Sequence, residues 1–262
     1  MKRLHFILLV ALILIQAGCA TFDKKDDTAS RSGIPGETVA SLIGKLETVN
    51  QTLVTCKGIG RMNFVRSGRG QHLRIAWVSR VPEKLRVAIL GPDGRPLLTV
   101  SADGTWLYAL DHTTGEFHKS APDGHRLQTV LGLPLDVRSL ALILAGRIPE
   151  FDYDRTEASA GRTADETAVV LKKWWNRVGK VYVGKTRPAI LRPTILRIES
   201  YRQTGEVRYI ADIMEIQIVK GYVVPRILTI NPDAATRFTL DIDRYWVNEP
   251  VSPEMFVLQP PE

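Results

Sequence analysis

The chain of 262 residues lacks the sequence motifs of the common hydrolases and metalloproteases. It contains neither Gly-x-Ser-x-Gly, which marks a nucleophilic serine, nor His-Glu-x-x-His, which marks a zinc site. Cysteine is equally scarce, because only Cys19 and Cys56 are present. We therefore expect a protein that is not an enzyme and that needs no cofactor, nucleotide or resident metal.

Long apolar runs are also missing, because no segment approaches the about 20 apolar residues that a membrane-spanning helix needs. The longest apolar run covers only residues 6–15, near the N-terminus. Lys2 and Arg3 precede it, and the small residues Ala17-Gly18 follow it, directly before Cys19. A positive start, a short apolar run and small residues at the end are typical of a secretory signal.

The ending Ala17-Gly18-Cys19 resembles the bacterial lipobox, whose thiol receives a diacylglyceryl group and becomes the first residue of the mature chain. Gln16 departs from that pattern, which usually has Leu at this position. In bacterial lipoproteins an Asp after the cysteine signals retention in the inner membrane, but here the residue is Ala20. The resemblance therefore implies an outer-membrane protein on the periplasmic face, held by membrane lipid through acylated Cys19. The alternative is an ordinary secretory signal that happens to contain a cysteine.

The pattern predicts three parts: a signal over residues 1–18, a lipidated cysteine with a flexible polar tether over 19–36, and one domain over 37–262. Removal of the signal lowers the formal charge from +7 to +5, because it removes two basic residues and no acid. The remaining Lys and Arg are scattered, and no nucleic-acid motif accompanies them, so we expect no nucleic-acid partner. With Cys19 acylated, Cys56 cannot form an internal disulfide, and its strand-like surroundings predict a buried, inert thiol. A reactive or intermolecular thiol is the alternative.

The periodicity of apolar residues predicts a mainly β (α+β) domain. Residues 37–53 repeat apolar side chains with the period of an amphipathic helix. From residue 55 the period becomes two, which indicates antiparallel strands with one covered face. Two predicted helices interrupt the strands, one over residues 126–130 and one that begins after the N-cap candidate Asp136 and runs to Ala145, and residues 151–165 are interpreted as a polar surface loop. About ten strands and few helices indicate a sheet that must curl or be covered.

Several segments resemble the outer-membrane lipoprotein receptor LolB and its relatives. These are Gly132-Leu133-Pro134-Leu135 with Ser139, Leu140, Leu144 and Gly146, the strand–loop–strand unit at 85–100, and the ending at 251–261. The resemblance implies an incomplete antiparallel barrel under a helical lid, with an apolar cavity for acyl chains. Acyl chains need no hydrogen-bond partner, so such a site has no polar signature.

Alternation along the strands nominates a set of cavity-lining side chains, two of them on the lid: Leu73, Ile75, Trp77, Leu85, Val87, Ile89, Leu140 and Leu144. A dry, packed core is the alternative for each of them. By the same resemblance, the turn Gly91-Pro92-Asp93-Gly94 is the membrane-facing loop. LolB carries an exposed apolar residue where this chain has Asp93, whose carboxylate is costly to bury and is repelled by anionic headgroups. We therefore expect this chain to share the fold and lipid binding of LolB more than its delivery of lipoproteins into the membrane.

Two other polar segments attract interest. Asp111, His112, Glu116 and His118 have a spacing that could hold a metal, but the sequence Asp-His-Thr-Thr-Gly-Glu also predicts a hairpin turn, which we favour. Trp174-Trp175 lies between lysines and an arginine, a composition that suits a membrane interface. An exposed hairpin tip or a partner-binding patch fits that segment equally well.

The leading hypothesis is an outer-membrane lipoprotein that binds the acyl chains of lipoproteins in an apolar cavity and accepts them from a periplasmic carrier protein. Transfer would follow affinity alone, without catalysis. The alternative is a lipoprotein that uses the same scaffold as a protein-interaction module in envelope assembly or stress sensing.

Overall fold

The computed structural model describes residues 38–121, 126–184 and 193–261, which form a 13-stranded antiparallel sheet with the α-helices against one face and the 3₁₀ turn Pro253–Phe256 against the other. The signal, Cys19 and the whole proposed tether lie outside the described residues, so the lipid anchor stays a prediction. The strands are β1 (Thr55–Arg66), β2 (Arg69–Arg80), β3 (Lys84–Leu90), β4 (Pro96–Ala102), β5 (Leu107–Asp111), β6 (Phe117–Ser120), β7 (Arg155–Ala160), β8 (Glu166–Lys173), β9 (Asn176–Gly184), β10 (Thr194–Tyr201), β11 (Val207–Val219), β12 (Tyr222–Asn231) and β13 (Thr236–Val247). The helices are α1 (Val39–Thr48), α2 (Arg126–Leu131), α3 (Val137–Leu144) and a 3₁₀ turn, Pro253–Phe256.

The strand order is β6-β5-β4-β3-β2-β1-β13-β12-β11-β10-β9-β8-β7, so the first and last strands of the chain pair at its centre. The sheet is open and is not closed into a barrel, which agrees with the incomplete barrel that the resemblance implied. The strand number is thirteen, where about ten were expected. One strand was missed outright: β7 occupies part of the segment interpreted as a loop. Its polar sequence hid it, and a short polar strand suits a sheet edge, where β7 pairs only with β8.

Alternation separates an inner face, covered by the helices, from an outer face. Ile75, Trp77 and Leu240 point inward into the main core. Between them on the outer face lie charged side chains, such as Arg61, whose Nη2 is 3.1 Å from Oδ2 of Asp241. An apolar face under helices and a largely polar face opposite is the arrangement that the alternation predicts. The outer face also has one apolar cluster, where Val78 packs with Val251 and Phe256 of the C-terminal segment.

Because all pairs are antiparallel, the turns alternate between the two ends of the strands. One end, which we call end A, carries the turns at 67–68, 91–95, 112–116, 174–175, 202–206 and 232–235. The other, end B, carries those at 81–83, 103–106, 161–165 and 220–221.

The helices form where the sequence predicted them; α1 and α3 are shorter than expected, and α2 extends one residue further, to Leu131. α1 ends at Thr48, and residues 49–54 are turns that lead into β1. Asp136 caps α3, since its Oδ1 accepts a hydrogen bond from the Ser139 N–H at 2.6 Å. Gly146 follows α3 with a φ of +69°, a left-handed conformation that favours glycine. Within the described residues, no helix has the length and apolarity to cross a bilayer.

Candidate functional site

An apolar cavity of about 220 Å³ lies between the inner face of the sheet and the segments of α2 and α3. Its lining comes from β1, β2, β3, β12 and β13 and from the helical section. The lining residues are Met62, Phe64, Leu73, Ile75, Trp77, Val87, Ile89, Val130, Leu131, Leu133, Leu140, Leu144, Leu228, Ile230, Phe238 and Leu240. All sixteen are apolar or aromatic, and none carries a charge. Such a site can bind hydrocarbon but has no group for acid–base or nucleophilic chemistry.

Cross-strand pairing brings the lining residues together. Ile75 lies opposite Ile89, and Trp77 lies opposite Val87, in the β2–β3 ladder. Next to them, across the β1–β13 pair, Phe64 stacks on Phe238 with ring centroids 4.7 Å apart. Cross-strand apolar pairs of this kind build a continuous apolar wall from several strands.

The structure places seven of the eight nominated residues at the cavity, and Leu85 is the exception. Leu85 points inward but lies in the packed core, further toward end B than Val87 and Ile89. Alternation identifies the face of a strand correctly but does not show where along the strand a cavity ends. The lid residues Leu140 and Leu144 lie one helical turn apart on α3 and both line the cavity.

Sequence reasoning missed nine of the lining residues. The signal for four of them was present, because Leu228 and Ile230 on β12, and Phe238 and Leu240 on β13, show the same period of two. What the sequence could not show is that β13 pairs with β1, which places these strands beside β2 and β3.

Trp77 occupies the wall through a close fit against Gly58 on β1. A Cβ added to Gly58 would lie 2.1 Å from two atoms of the Trp77 ring, so only glycine leaves room for the indole. Beside it, Tyr245 meets Trp77 edge-on at 6.1 Å. Cys56 lies buried in the same core, and burial raises the pKa of its thiol to about 11. The thiol is therefore protonated near neutral pH.

The lid helix α3 is held at both of its ends. Near its start, Arg138 makes a bidentate pair with Glu150, at 2.7 Å from Nε and 2.8 Å from Nη2, and Nη1 reaches Glu83 at 3.1 Å. At its end, the Tyr245 hydroxyl donates to the Leu144 carbonyl at 2.8 Å. These bonds fix the two lining leucines of α3 over the cavity.

Below that end, Asn50 ties the lid to the sheet. Its Nδ2 donates to the Ala145 carbonyl at 2.9 Å and to the Val223 carbonyl on β12 at 2.7 Å. A buried amide that bridges two elements fixes their spacing, since breaking it would leave unpaired carbonyls.

The predicted loop at 91–94 is the turn between β3 and β4, at end A. Gly94 has a φ of +81°, and its N–H donates to the Gly91 carbonyl. Oδ1 of Asp93 accepts a hydrogen bond from the Arg95 N–H at 3.1 Å, and Oδ2 lies 3.6 Å from Nε of Arg95, with both side chains largely exposed. The turn therefore presents a charge, as the sequence indicated, where LolB carries an apolar side chain.

The polar segment at 111–118 forms the predicted hairpin turn. Asp111 Oδ1 accepts hydrogen bonds from the backbone of Thr113 and Thr114, at 2.8 and 3.1 Å. His112 bonds instead to Thr99. Among the described residues no three His, Cys, Asp or Glu side chains come together to hold a metal.

Sequence reasoning missed one further pattern: Gly179-x-x-x-x-Gly184-Lys185-Thr186 matches the sequence motif of a phosphate-binding loop. In a P-loop these glycines form a loop before a helix, whose free N–H groups cradle phosphate. Here residues 179–184 end strand β9, which pairs with β8 on one side and β10 on the other. Their backbone groups face the neighbouring strands, so these two glycines do not form a loop that cradles phosphate.

By sequence, no protein family and no curated protein matches the chain. By structure, it is similar to a LolA superfamily protein from Nitrosomonas europaea, with a TM-score of 0.54 at 12% identity over 85% of this chain and 98% of that one. A DUF1329 family protein from Desulfovibrio piger aligns with a TM-score of 0.50 at 12% identity, over 79% of this chain and 91% of that one. A putative outer membrane lipoprotein-sorting protein domain from Vibrio parahaemolyticus aligns with a TM-score of 0.50 at 8% identity, over 76% and 88%. The chain therefore has the LolA/LolB-like fold that its sequence resemblance implied.

Proposed function

We propose that the protein is a periplasm-facing outer-membrane lipoprotein that binds the acyl chains of lipoproteins in its apolar cavity. The observation that carries the proposal is a lidded cavity lined by sixteen apolar or aromatic side chains and no charged one. Each methylene that enters such a cavity contributes about 0.8 kcal/mol, so a chain of several methylenes gains a useful affinity without any polar contact.

The proposed mechanism is transfer by affinity. A periplasmic carrier protein presents an acylated lipoprotein. The acyl chain then moves from the carrier to the cavity of this protein, because burial there is more favourable. The cavity wall supports this because it offers neither a nucleophile nor an acid–base group that could cleave an ester. No cofactor is required. The neighbour described as a lipoprotein-sorting domain is consistent with this role.

The anchor completes the proposal. We infer that Cys19 carries the lipid and that the polar residues up to position 36 tether the domain to one leaflet. A flexible tether of that length spans roughly 20–25 Å, which holds the cavity close to the membrane that receives the cargo. Two or more acyl chains are needed for stable anchoring, which a lipoprotein terminus supplies.

The second candidate is a protein-interaction module in envelope assembly or stress sensing. It is favoured by an open groove of about 520 Å³ on the outer face, bounded by Ile59, Trp246 and Met255. Exposed apolar side chains along a groove are typical of protein contacts. This function would leave the inner cavity without a ligand.

The test places the same large side chain, tryptophan, on either side of one strand. Ile89 lines the cavity, while its neighbour Ala88 faces the outer groove. In the full chain, we expect Ile89→Trp to lower the uptake of a fluorescent fatty-acid probe at least tenfold, because the indole fills the cavity. Ala88→Trp, the matched control, keeps the uptake. Equal uptake by both variants, or no uptake by the unaltered chain, contradicts the proposal.

A further inference from the structure

The turn between β8 and β9 consists of two tryptophans, which are among the most exposed apolar side chains of the described residues. Trp174 is 68% exposed and Trp175 is 81% exposed. Trp174 has a φ of +58°, in a two-residue hairpin turn that favours Gly or Asn there. Two indoles with most of their surface exposed bury little within the domain, so stability of the fold does not account for them.

The charges around the tip are partly neutralised, because among the described residues its two lysines form ion pairs and its two arginines do not. Lys172 and Lys173 pair with Glu157 and Asp152 at 2.6 and 2.8 Å. The remaining carboxylate, Asp154, accepts the Trp174 N–H.

Two guanidinium groups complete the tip. Arg155 lies 5.6 Å from the Trp175 ring centroid, and Arg177 lies 5.1 Å from that of Tyr201. No ion pair joins either arginine to a carboxylate within the described residues. Four basic and three acidic side chains therefore surround two exposed indoles.

We propose that the Trp174–Trp175 tip inserts into the interface of an anionic phospholipid bilayer. Indole rings favour the headgroup level, where the apolar ring is buried and its N–H stays hydrated. Lys and Arg near the tip gain from anionic headgroups. A convex two-residue tip enters a deformable bilayer easily, whereas a stable protein interface needs about 800 Å² from each partner.

The position of the tip fits this contact. It lies at end A, the same end as the 91–95 turn, whose Asp93 is unsuited to insertion. The cavity-lining Phe64, Ile89 and Ile230 lie near the ends of their strands, also toward end A. An inserted tip would therefore hold the cavity end of the sheet toward lipid. The inference does not depend on what the cavity binds.

The experiment uses the full chain in vesicles of zwitterionic and anionic phospholipid whose acyl chains carry bromine, which quenches nearby tryptophan. The chain has five tryptophans, and Trp106 is a matched control because it is exposed, lies under Lys119 and sits at end B. We expect Trp174→Phe with Trp175→Phe to remove most of the quenchable fluorescence, and Trp106→Phe to leave it unchanged.

A second variant tests the charge requirement. Arg155→Gln with Arg177→Gln removes two cations, one of them the ring partner of Trp175, and keeps both tryptophans in place. We expect binding of the tip to anionic vesicles to weaken about fivefold for each lost charge. The unaltered chain should show the same weakening in vesicles of zwitterionic lipid alone. Tip tryptophans that stay unquenched in anionic vesicles, or quenching that is equal at Trp106, would overturn the proposal and favour a protein partner for the tip.

Discussion

Trp77 on the inner face of β2 and Arg197 on the outer face of β10 are stabilised in opposite ways. Trp77 is 4% exposed and lies among apolar side chains at the cavity wall. Arg197 is partly buried in a polar network, with Nη1 3.0 Å from Asp212 and Nε 2.8 Å from Glu199. The inner face thus depends on shape and burial, while the outer face depends on charge pairing. Among the described residues, the inner face holds the cavity whose lining is wholly apolar, whereas the wall of the outer groove also includes charged residues.

The largest expected effect comes from the inner face. Trp77→Ala removes a large buried ring and should lower the free energy of unfolding by about 3–5 kcal/mol, measured by urea denaturation of the full chain. The control is Trp246→Ala on the outer face, where the partly exposed ring predicts a loss of about 1 kcal/mol or less. Similar losses for the two tryptophans would break the distinction between the faces.

The next effect comes from the outer network. Arg197→Met keeps most of the length of the side chain but leaves Glu199 and Asp212 without their central cation. Because the network is only partly buried, we expect a loss of about 1–3 kcal/mol, below the value for a fully buried pair. Denaturation at neutral pH measures it. An unchanged or raised stability would mean that desolvation of Arg197 costs as much as the pairing returns.

The same network makes stability depend on pH. Arg162 joins it, with Nη1 3.4 Å from Asp212 and Nη2 2.9 Å from Glu166, and its hydrogen bonds lower the pKa of Glu166. For Glu199, burial alone would raise the pKa, but the hydrogen bonds from Tyr201 and Arg197 outweigh it and the net pKa is lowered. A carboxylate with a lowered pKa stabilises the folded state at pH values above its ordinary pKa near 4.3. This contribution is lost as the pH falls through the lowered pKa.

We therefore expect the unaltered chain to lose stability between pH 5 and pH 3, by less than the full effect of Arg197→Met. The difference between the two proteins should shrink over that range, since acid removes what the variant has already lost. Denaturation curves at a series of pH values measure this. A difference that stays constant down to pH 3 would show that these carboxylates do not titrate there.

The smallest effect is expected from an exposed pair on the outer face. Arg61 lies 3.1 Å from Asp241 and 3.0 Å from Asp243, but its side chain is 65% exposed. Solvent screens such pairs, so Arg61→Ala should cost less than about 1 kcal/mol. Raising the salt concentration should reduce even that difference. A larger cost would place this pair with the Arg197 network.

These two faces also mark how far the sequence could predict the structure. Alternation with a period of two located most strands and assigned Ile75, Trp77 and Val87 to the inner face, because each signal is local. It could not show where the cavity ends, which is why Leu85 was nominated although it lies in packed core. The polar edge strand β7 gave no apolar signal at all.

The parts that could not be predicted depend on pairing between distant strands. The β1–β13 ladder joins residues about 180 positions apart, and it brings Phe238 and Leu240 to the cavity. The Arg197 network likewise needs β8 to β11 side by side. No periodicity within one segment contains that information, although the resemblance to LolB supplied the general architecture.

The central claim is that the inner cavity, and not the outer groove, accepts acyl chains. Photo-crosslinking of the full chain with a diazirine-bearing fatty acid, followed by peptide mapping, tests it most directly. We expect labels on cavity residues such as Phe64, Ile89 and Leu144, and we expect these labels to disappear when an unlabelled fatty acid competes. Labels confined to the outer groove around Ile59 and Trp246, or no competable label, would contradict it.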